Sequence, residues 1–250
     1  MPNPAPGCSL PGRLLYLNNY RNAQIPEALD RRFAGYGFAV DVRHAWSDPM
    51  PDSPQAYAAV FLSGSEISPW EDFPWIGDQR RLIRQIAASR TPALGICFGT
   101  QILAYELLGP QTVFRRDHYE IGLVDVFIAS GNVPDPLVVG LPQSFPAFTW
   151  HRDEVVAAHP DMRVLATGRA CANHLWRYRD LPIWGAQVHP EAGGDLSSAW
   201  LRHHRTMLTR AGLDLAHRDY AAGFQTPAAA TLIDNFARFA LGRDGRHAHG

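Results

Sequence analysis

With 250 residues, 46% hydrophobic and 19% charged, the chain has the size and composition of one globular α/β domain with a substantial core. A formal net charge of −1 leaves no electrostatic case for binding nucleic acid or an anionic membrane. Every basic residue is arginine, which excludes a lysine Schiff base and the lysine of a phosphate-binding P-loop. Cys8, Cys97 and Cys171 form no regular disulfide framework and fit a reducing, cytoplasmic setting.

In chain order, residues 1–12 are a proline-rich arm without the charged-then-apolar order of a signal peptide. "RLLYLNN" (13–19) is an apolar run ending in turn formers and reads as a strand. "QIPEALDRRFAGYG" (24–37) has proline near its start and glycine at its end, as a helix does. "FAVDVRH" (38–44) alternates like a strand, and "AAVFLSG" (58–64) reads as a buried one. Within residues 72–90, Ile76, Leu82, Ile83 and Ile86 recur at helical spacing. "PALGIC" (92–97) then reads as a strand and "GTQILAYELLG" (99–109) as a helix.

The second half changes character. Residues 123–129, 153–159, 163–168, 172–178 and 183–189 are short β-like runs, followed by helical stretches near 196–211 and 227–241. Alternating strands and helices predict an α/β fold: three layers, a mostly parallel central sheet with flanking helices, and an added mixed β region. The domain is expected over 13–242, with a frayed tail at 243–250. No apolar run approaches the roughly 18 residues of a membrane helix, so no membrane partner is expected.

Cys97 stands between Gly95 and Gly99 where the apolar run gives way to the helix. A nucleophile on so tight a turn needs small neighbours, and the helix N-terminus that follows favours an anion at the sulfur. The competing reading is a core cysteine with incidental glycines. "GAQVHPE" supplies a base: His189 ends a strand that Pro190 prevents from continuing, and Glu191 follows two residues later. The ends of parallel strands gather at one sheet edge, where Cys97 also lies. His189 can accept the thiol proton and return it to a leaving amine, with Glu191 holding the imidazole in one tautomer. The competing reading here is a turn histidine beside a surface carboxylate.

"GICFGTQ" with "HPE" roughly ninety residues later resembles the class I, triad-type glutamine amidotransferases, over about residues 13–210. The resemblance implies a flavodoxin-like fold, Cys97, His189 and Glu191 as catalytic residues, and a γ-glutamyl thioester intermediate. It implies an oxyanion hole from the loop "LSGSEISPWEDFPWI" (62–76), with Gly64 shaping it and the N–H groups of Ser65 and Phe98 donating. The common form of that loop has two adjacent glycines and a proline; this chain has Gly64, Ser65 and Glu66, which is more similar to standalone members, including γ-glutamyl peptidases. By the same resemblance Gln101, Glu120 of "EIG" and Asp153 of "HRDEV" border the substrate, although each can be structural instead.

The function expected is cysteine-dependent hydrolysis of glutamine, with ammonia passed to a separate synthase. A standalone hydrolase of another γ-glutamyl compound, a silent regulatory or binding module and a redox-sensing thiol are the alternatives. No cofactor is needed. No metal site is expected either, since the adjacent histidines of "RHHR" (202–205) diverge on a helix and the carboxylates form no ligand cluster.

Overall fold

A computed structural model describes residues 12–21, 27–129, 131, 134–156, 158–193, 195–210 and 226–242. The expected arm (but for Gly12), with Cys8, and the expected tail lie outside them. The first half builds β1 (Arg13–Asn18), α1 (Glu27–Tyr36), β2 (Ala39–His44), β3 (Ala59–Leu62), α2 (Pro74–Ser89), β4 (Ala93–Ile96) and α3 (Phe98–Leu107). The second half builds β5 (Val113–Ile128), β6 (Ser144–Val155), β7 (Met162–Thr167), β8 (Leu175–Tyr178), β9 (Ile183–Ala186), α4 (Asp195–His203), α5 (Arg205–Arg210) and α6 (Pro227–Ala240).

Among the described residues nine strands form one sheet in the order β2-β1-β3-β4-β9-β8-β7-β5-β6. From β2 to β9 the pairings are parallel; from β9 onward they are antiparallel. The β-like second half therefore extends the same sheet. β9 is the junction, parallel to β4 on one side and antiparallel to β8 on the other.

β1, β3 and β4 carry apolar side chains on both faces because helices cover both. Leu14, Tyr16, Phe61, Leu94 and Trp184 pack with Phe33 of α1 and Phe236 of α6. Leu15, Leu17, Val60 and Leu62 pack on the opposite face with Ile83 of α2 and Ile102 of α3. The buried stripe of α2 is the expected Ile76, Leu82, Ile83 and Ile86, joined by Gln79. The helix ends at Arg90 in the left-handed conformation.

Three elements differ in extent from the sequence expectation. β5 begins at Val113 rather than near 123, because a register shift between Arg115 and Glu120 interrupts its alternation. β6 begins at Ser144 rather than 153, and Pro146 is tolerated because β6 is an edge strand. β6 also stops at Val155, where the Val156 N–H turns to the Thr112 carbonyl. The helix expected across 196–211 is broken at His204 into α4 and α5.

Candidate active site

Cys97 joins β4 to α3 with φ 49° and ψ −109°, a strained conformation for a non-glycine residue. Its flanking glycines are steric necessities. A Cβ on Gly95 would lie 2.4 Å from the Gly99 carbonyl oxygen, and one on Gly99 would lie 2.3 Å from the Leu62 carbonyl oxygen. The Cys97 N–H donates to the Ala186 carbonyl of β9 at 2.8 Å, which ties the elbow to the strand leading to His189. Cys97 is 6% exposed, so its sulfur is presented into a lined recess and not to bulk water.

Beyond Ala186 the chain leaves β4's side. The Gln187 N–H donates to the His174 carbonyl and the His189 N–H to the Phe148 carbonyl of β6, each at 2.8 Å. These bonds deliver His189 to the end of β4, where Pro190 stops further pairing. His189 Nδ1 lies 2.8 Å from Glu191 Oε1. The carboxylate accepts from Nδ1, which leaves Nε2 for the sulfur. Burial by itself would lower the His189 pKa; Glu191 and then Cys97, each also hydrogen-bonded to the ring, outweigh it and raise the pKa to about 10. The ring is therefore protonated at neutral pH, between a carboxylate and a sulfur. The structure brings Cys97, His189 and Glu191 together.

The loop after β3 is laced to the end of β1. Asn19 donates from its backbone N–H to Ser63 Oγ and from Nδ2 to the Ser63 carbonyl, each at 2.9 Å. Ser65 Oγ donates to the Asn19 carbonyl at 2.9 Å, and Asn19 Oδ1 accepts from Gln79. A Cβ placed on Gly64 would come within 3.3 Å of Cys97 Cβ, so this loop abuts the elbow. Phe98 is the first residue of α3, and its N–H has no acceptor within the helix.

The polar groups of Gln101, Glu120 and Asp153 are engaged within the protein. Gln101 Nε2 donates to the Asp153 carbonyl at 2.8 Å. The Asp153 carboxylate accepts from Arg115 Nε at 2.8 Å and from Ser68 Oγ. Glu120 faces inward: its Oε2 lies 2.8 Å from His151 Nε2 and 3.9 Å from His174 Nε2.

Glu120, Cys171 and His174 offer donor atoms within 4.8 Å of one another, the one metal-ligating group among the described residues. Sequence reading had no pattern for it, because the residues come from two separate segments. Two of the three are committed elsewhere, Glu120 to His151 and the Cys171 thiol to Glu154, which also accepts from Arg116 at 2.9 Å, whereas neither ring nitrogen of His174 has a hydrogen-bond partner. Burial pushes the Cys171 thiol far up and lowers His174 to about 4, Glu120 opposing the latter shift. Burial raises the Glu120 carboxyl, but the His151 hydrogen bond and the neighbouring histidines hold it below the usual carboxylate range.

Aromatic rings wall the recess. Trp200 of α4 stands edge-on to His189, ring centroids 5.5 Å apart, and lies 6.1 Å from Tyr20. Cys97 Sγ lies 3.5 Å from the Trp150 carbonyl oxygen. Tyr20 is the residue that sequence reading passed over. Its signal was positional, since it stands two residues beyond the end of β1, at the same sheet edge as Cys97.

The family model of class-I glutamine amidotransferases matches residues 16–204. A glutamine-hydrolysing GMP synthase subunit from Pyrococcus abyssi is 32% identical over 115 residues, 46% of this chain and 58% of that protein. The Thermococcus kodakarensis protein of the same name is 35% identical over 132 residues, 53% and 64%. The chain thus spans little more than half the length of these curated relatives. In fold it resembles the crystal structure of a glutamine amidotransferase from Thermotoga maritima, with TM-score 0.75 at 22% identity, covering 93% of this chain and 97% of that one. A Methylobacillus flagellatus glutamine amidotransferase superposes with TM-score 0.69 at 24% identity, covering 97% and 100%. Among the described residues no helix is long and apolar enough to cross a membrane. The family match runs from β1 through α4, and so across the whole elbow region: this chain belongs to the class-I glutamine amidotransferases.

Proposed function

We propose that the chain hydrolyses the γ-amide of glutamine through a γ-glutamyl thioester on Cys97 and passes the ammonia to a separate synthase. The observation that carries this reading is the strained elbow at Cys97 beside His189, whose ring is held by Glu191 at 2.8 Å.

The Cys97 sulfur attacks the γ-carbonyl carbon, and a tetrahedral oxyanion forms. The N–H groups of Ser65 and Phe98 stabilise it, each worth roughly 2.7–4 kcal/mol in such sites. The C–N bond breaks as His189 gives its Nε2 proton to the leaving nitrogen. Neutral His189 then takes a proton from water, the hydroxide adds to the thioester, and the S–C bond breaks to release glutamate. Glu191 orients the ring throughout. Gln101, Asp153 and Glu120 act as positioning residues for β6: Gln101 holds the Asp153 carbonyl, Asp153 anchors Arg115, and Glu120 fixes His151. The chemistry needs no cofactor. The curated relatives named as glutamine-hydrolysing GMP synthase subunits support glutamine as substrate and a synthase as partner.

A second reading rests on Ser65 and Glu66 in the loop after β3 and on the aromatic wall of Trp200: a standalone hydrolase of larger γ-glutamyl compounds. Assay of the purified chain alone, with glutamine and a panel of γ-glutamyl peptides and amides, separates the two. Glutamine hydrolysis with acyl-Cys97 detected by mass is expected. Rapid turnover of a conjugate but not of glutamine would install the second reading, and loss of neither activity in Cys97→Ala would remove both.

A further inference from the structure

The Tyr20 hydroxyl is shielded from solvent, yet it has no hydrogen-bond partner. A buried hydroxyl left unpaired is unfavourable, so its position calls for a reason. That position is defined by Gly64. A Cβ built there would lie 2.4 Å from Tyr20 Oη and 3.3 Å from Cys97 Cβ, so the hydroxyl and the base of the Cys97 side chain border the same point. Glycine at 64 is what admits the hydroxyl to the recess.

The placement is rigid. Tyr20 N–H donates to Asn18 Oδ1 at 3.3 Å, and its carbonyl accepts from Trp46 Nε1 at 3.1 Å. Its neighbour Asn19 is tied to Ser63 and Ser65, the loop expected to carry the oxyanion donors. Trp200 closes the outer side of the ring. Donor, loop and elbow are thus fixed relative to one another before any substrate arrives, as electrostatic preorganisation requires.

Resting on the function proposed above, we infer that the Tyr20 hydroxyl is a catalytic donor that completes the oxyanion hole, hydrogen-bonding the γ-carbonyl oxygen as it becomes an oxyanion. It keeps its proton throughout. Burial, reinforced by the negative charge of Glu191 and Cys97, pushes the phenol well above its ordinary range, so it remains a donor at every working pH. In this chain a side-chain hydroxyl lies against the very loop where the common Gly-Gly-Pro sequence is replaced by Gly64, Ser65 and Glu66.

Tyr20→Phe keeps the ring and removes only the oxygen. Wild type, Tyr20→Phe and Cys97→Ala are compared for kcat and KM on glutamine and on γ-glutamyl-p-nitroanilide, and for thermal unfolding. Tyr20→Phe is expected to lower kcat on the order of a hundredfold with KM little changed, the pattern of a contact made only in the transition state. Its unfolding midpoint is expected to stay level or rise, because an unpaired buried hydroxyl has been removed. Unchanged kcat, a raised KM with kcat intact, or a kcat loss accompanied by a lowered unfolding midpoint would each overturn the inference, the last by assigning Tyr20 a packing role. If Tyr20→Phe matches an active wild type while Cys97→Ala is dead, only this inference fails. A wild type inactive on both substrates overturns the proposed function and this donor with it.

Discussion

The molecule contains two groupings of a cysteine, a histidine and a glutamate, and they behave in opposite ways. At the sheet edge stand Cys97, His189 and Glu191; inside the antiparallel half lie Cys171, His174 and Glu120. His189 is raised to about 10, whereas His174 is lowered to about 4. Both rings are buried, so desolvation disfavours the charged form in each. What differs is the carboxylate. Glu191 sits 2.8 Å from His189, while Glu120 is 3.9 Å from His174 because its oxygen is already taken by His151. Residue types alone therefore do not make an active site; unshared partners and backbone geometry do.

The largest contrast is expected at sulfur. Cys97 is forced by φ 49° to stand out from the elbow, and Cys171 is a fully buried thiol bonded to Glu154. Cys97→Ala removes the proposed nucleophile and should lower glutamine hydrolysis by about 10⁴-fold or more, with the fold retained. Cys171→Ala removes a small apolar group and should leave kcat/KM within about threefold of wild type, with a modest loss of stability. Parallel steady-state assays and thermal melts measure both. A dead Cys171→Ala of normal stability would show that the inner grouping takes part in the chemistry.

At the carboxylates the contrast is smaller. Glu191→Gln keeps the shape but removes the charge that holds His189 protonated, and kcat should fall about 10²- to 10⁴-fold. The His189 ring signal, followed by NMR through a pH titration, should move to a lower pKa. Glu120→Gln should lower kcat by less than about tenfold and instead lower stability by about 1–3 kcal/mol, since His151 loses a buried charged partner. A Glu191→Gln variant with unchanged kcat would detach the carboxylate from the mechanism.

These two groupings were unequally legible in the sequence. Cys97 could be read because Gly95 and Gly99 report a local backbone requirement, and the structure shows the two carbonyl contacts that impose it. His189 could be read because Pro190 marks where a strand must stop. The inner strands β1, β3 and β4 of the parallel half followed from apolar runs that are buried on both faces and therefore continuous, and the edge strand β2 from its alternation. The antiparallel half was harder. β5 carries a register shift that breaks its alternation, and β6 tolerates Pro146 only because no strand lies beyond it. Both facts depend on neighbours. The inner grouping was invisible for the same reason, since Glu120 of β5 meets His174, which precedes β8, only through the tertiary fold. Tyr20 carried no motif at all; only the space left by Gly64 marks it.

The imidazoles give the most direct test of the opposition. A histidine has an unfolded pKa near 6.5. For His189, raised to about 10, the folded state binds the proton more tightly, so its stabilisation is fully present below about pH 6.5 and is lost as pH rises through 10. For His174, lowered to about 4, the unfolded state binds the proton more tightly, so stability is lost as pH falls from 6.5 toward 4. A shift of that size corresponds to roughly 3 kcal/mol at its acid limit. Glu120, held below its usual range, adds a loss of the same sign once it protonates. Urea unfolding across pH 4–10 should thus show a decline on each side, caused by different histidines. His174→Gln should flatten the decline between pH 6.5 and 4 and leave the alkaline side alone; His189→Gln should do the reverse. If His174→Gln instead flattened the alkaline limb, the assignment of opposite environments to the two rings would fall, and with it the claim that a shared carboxylate is what separates a structural grouping from a reactive one.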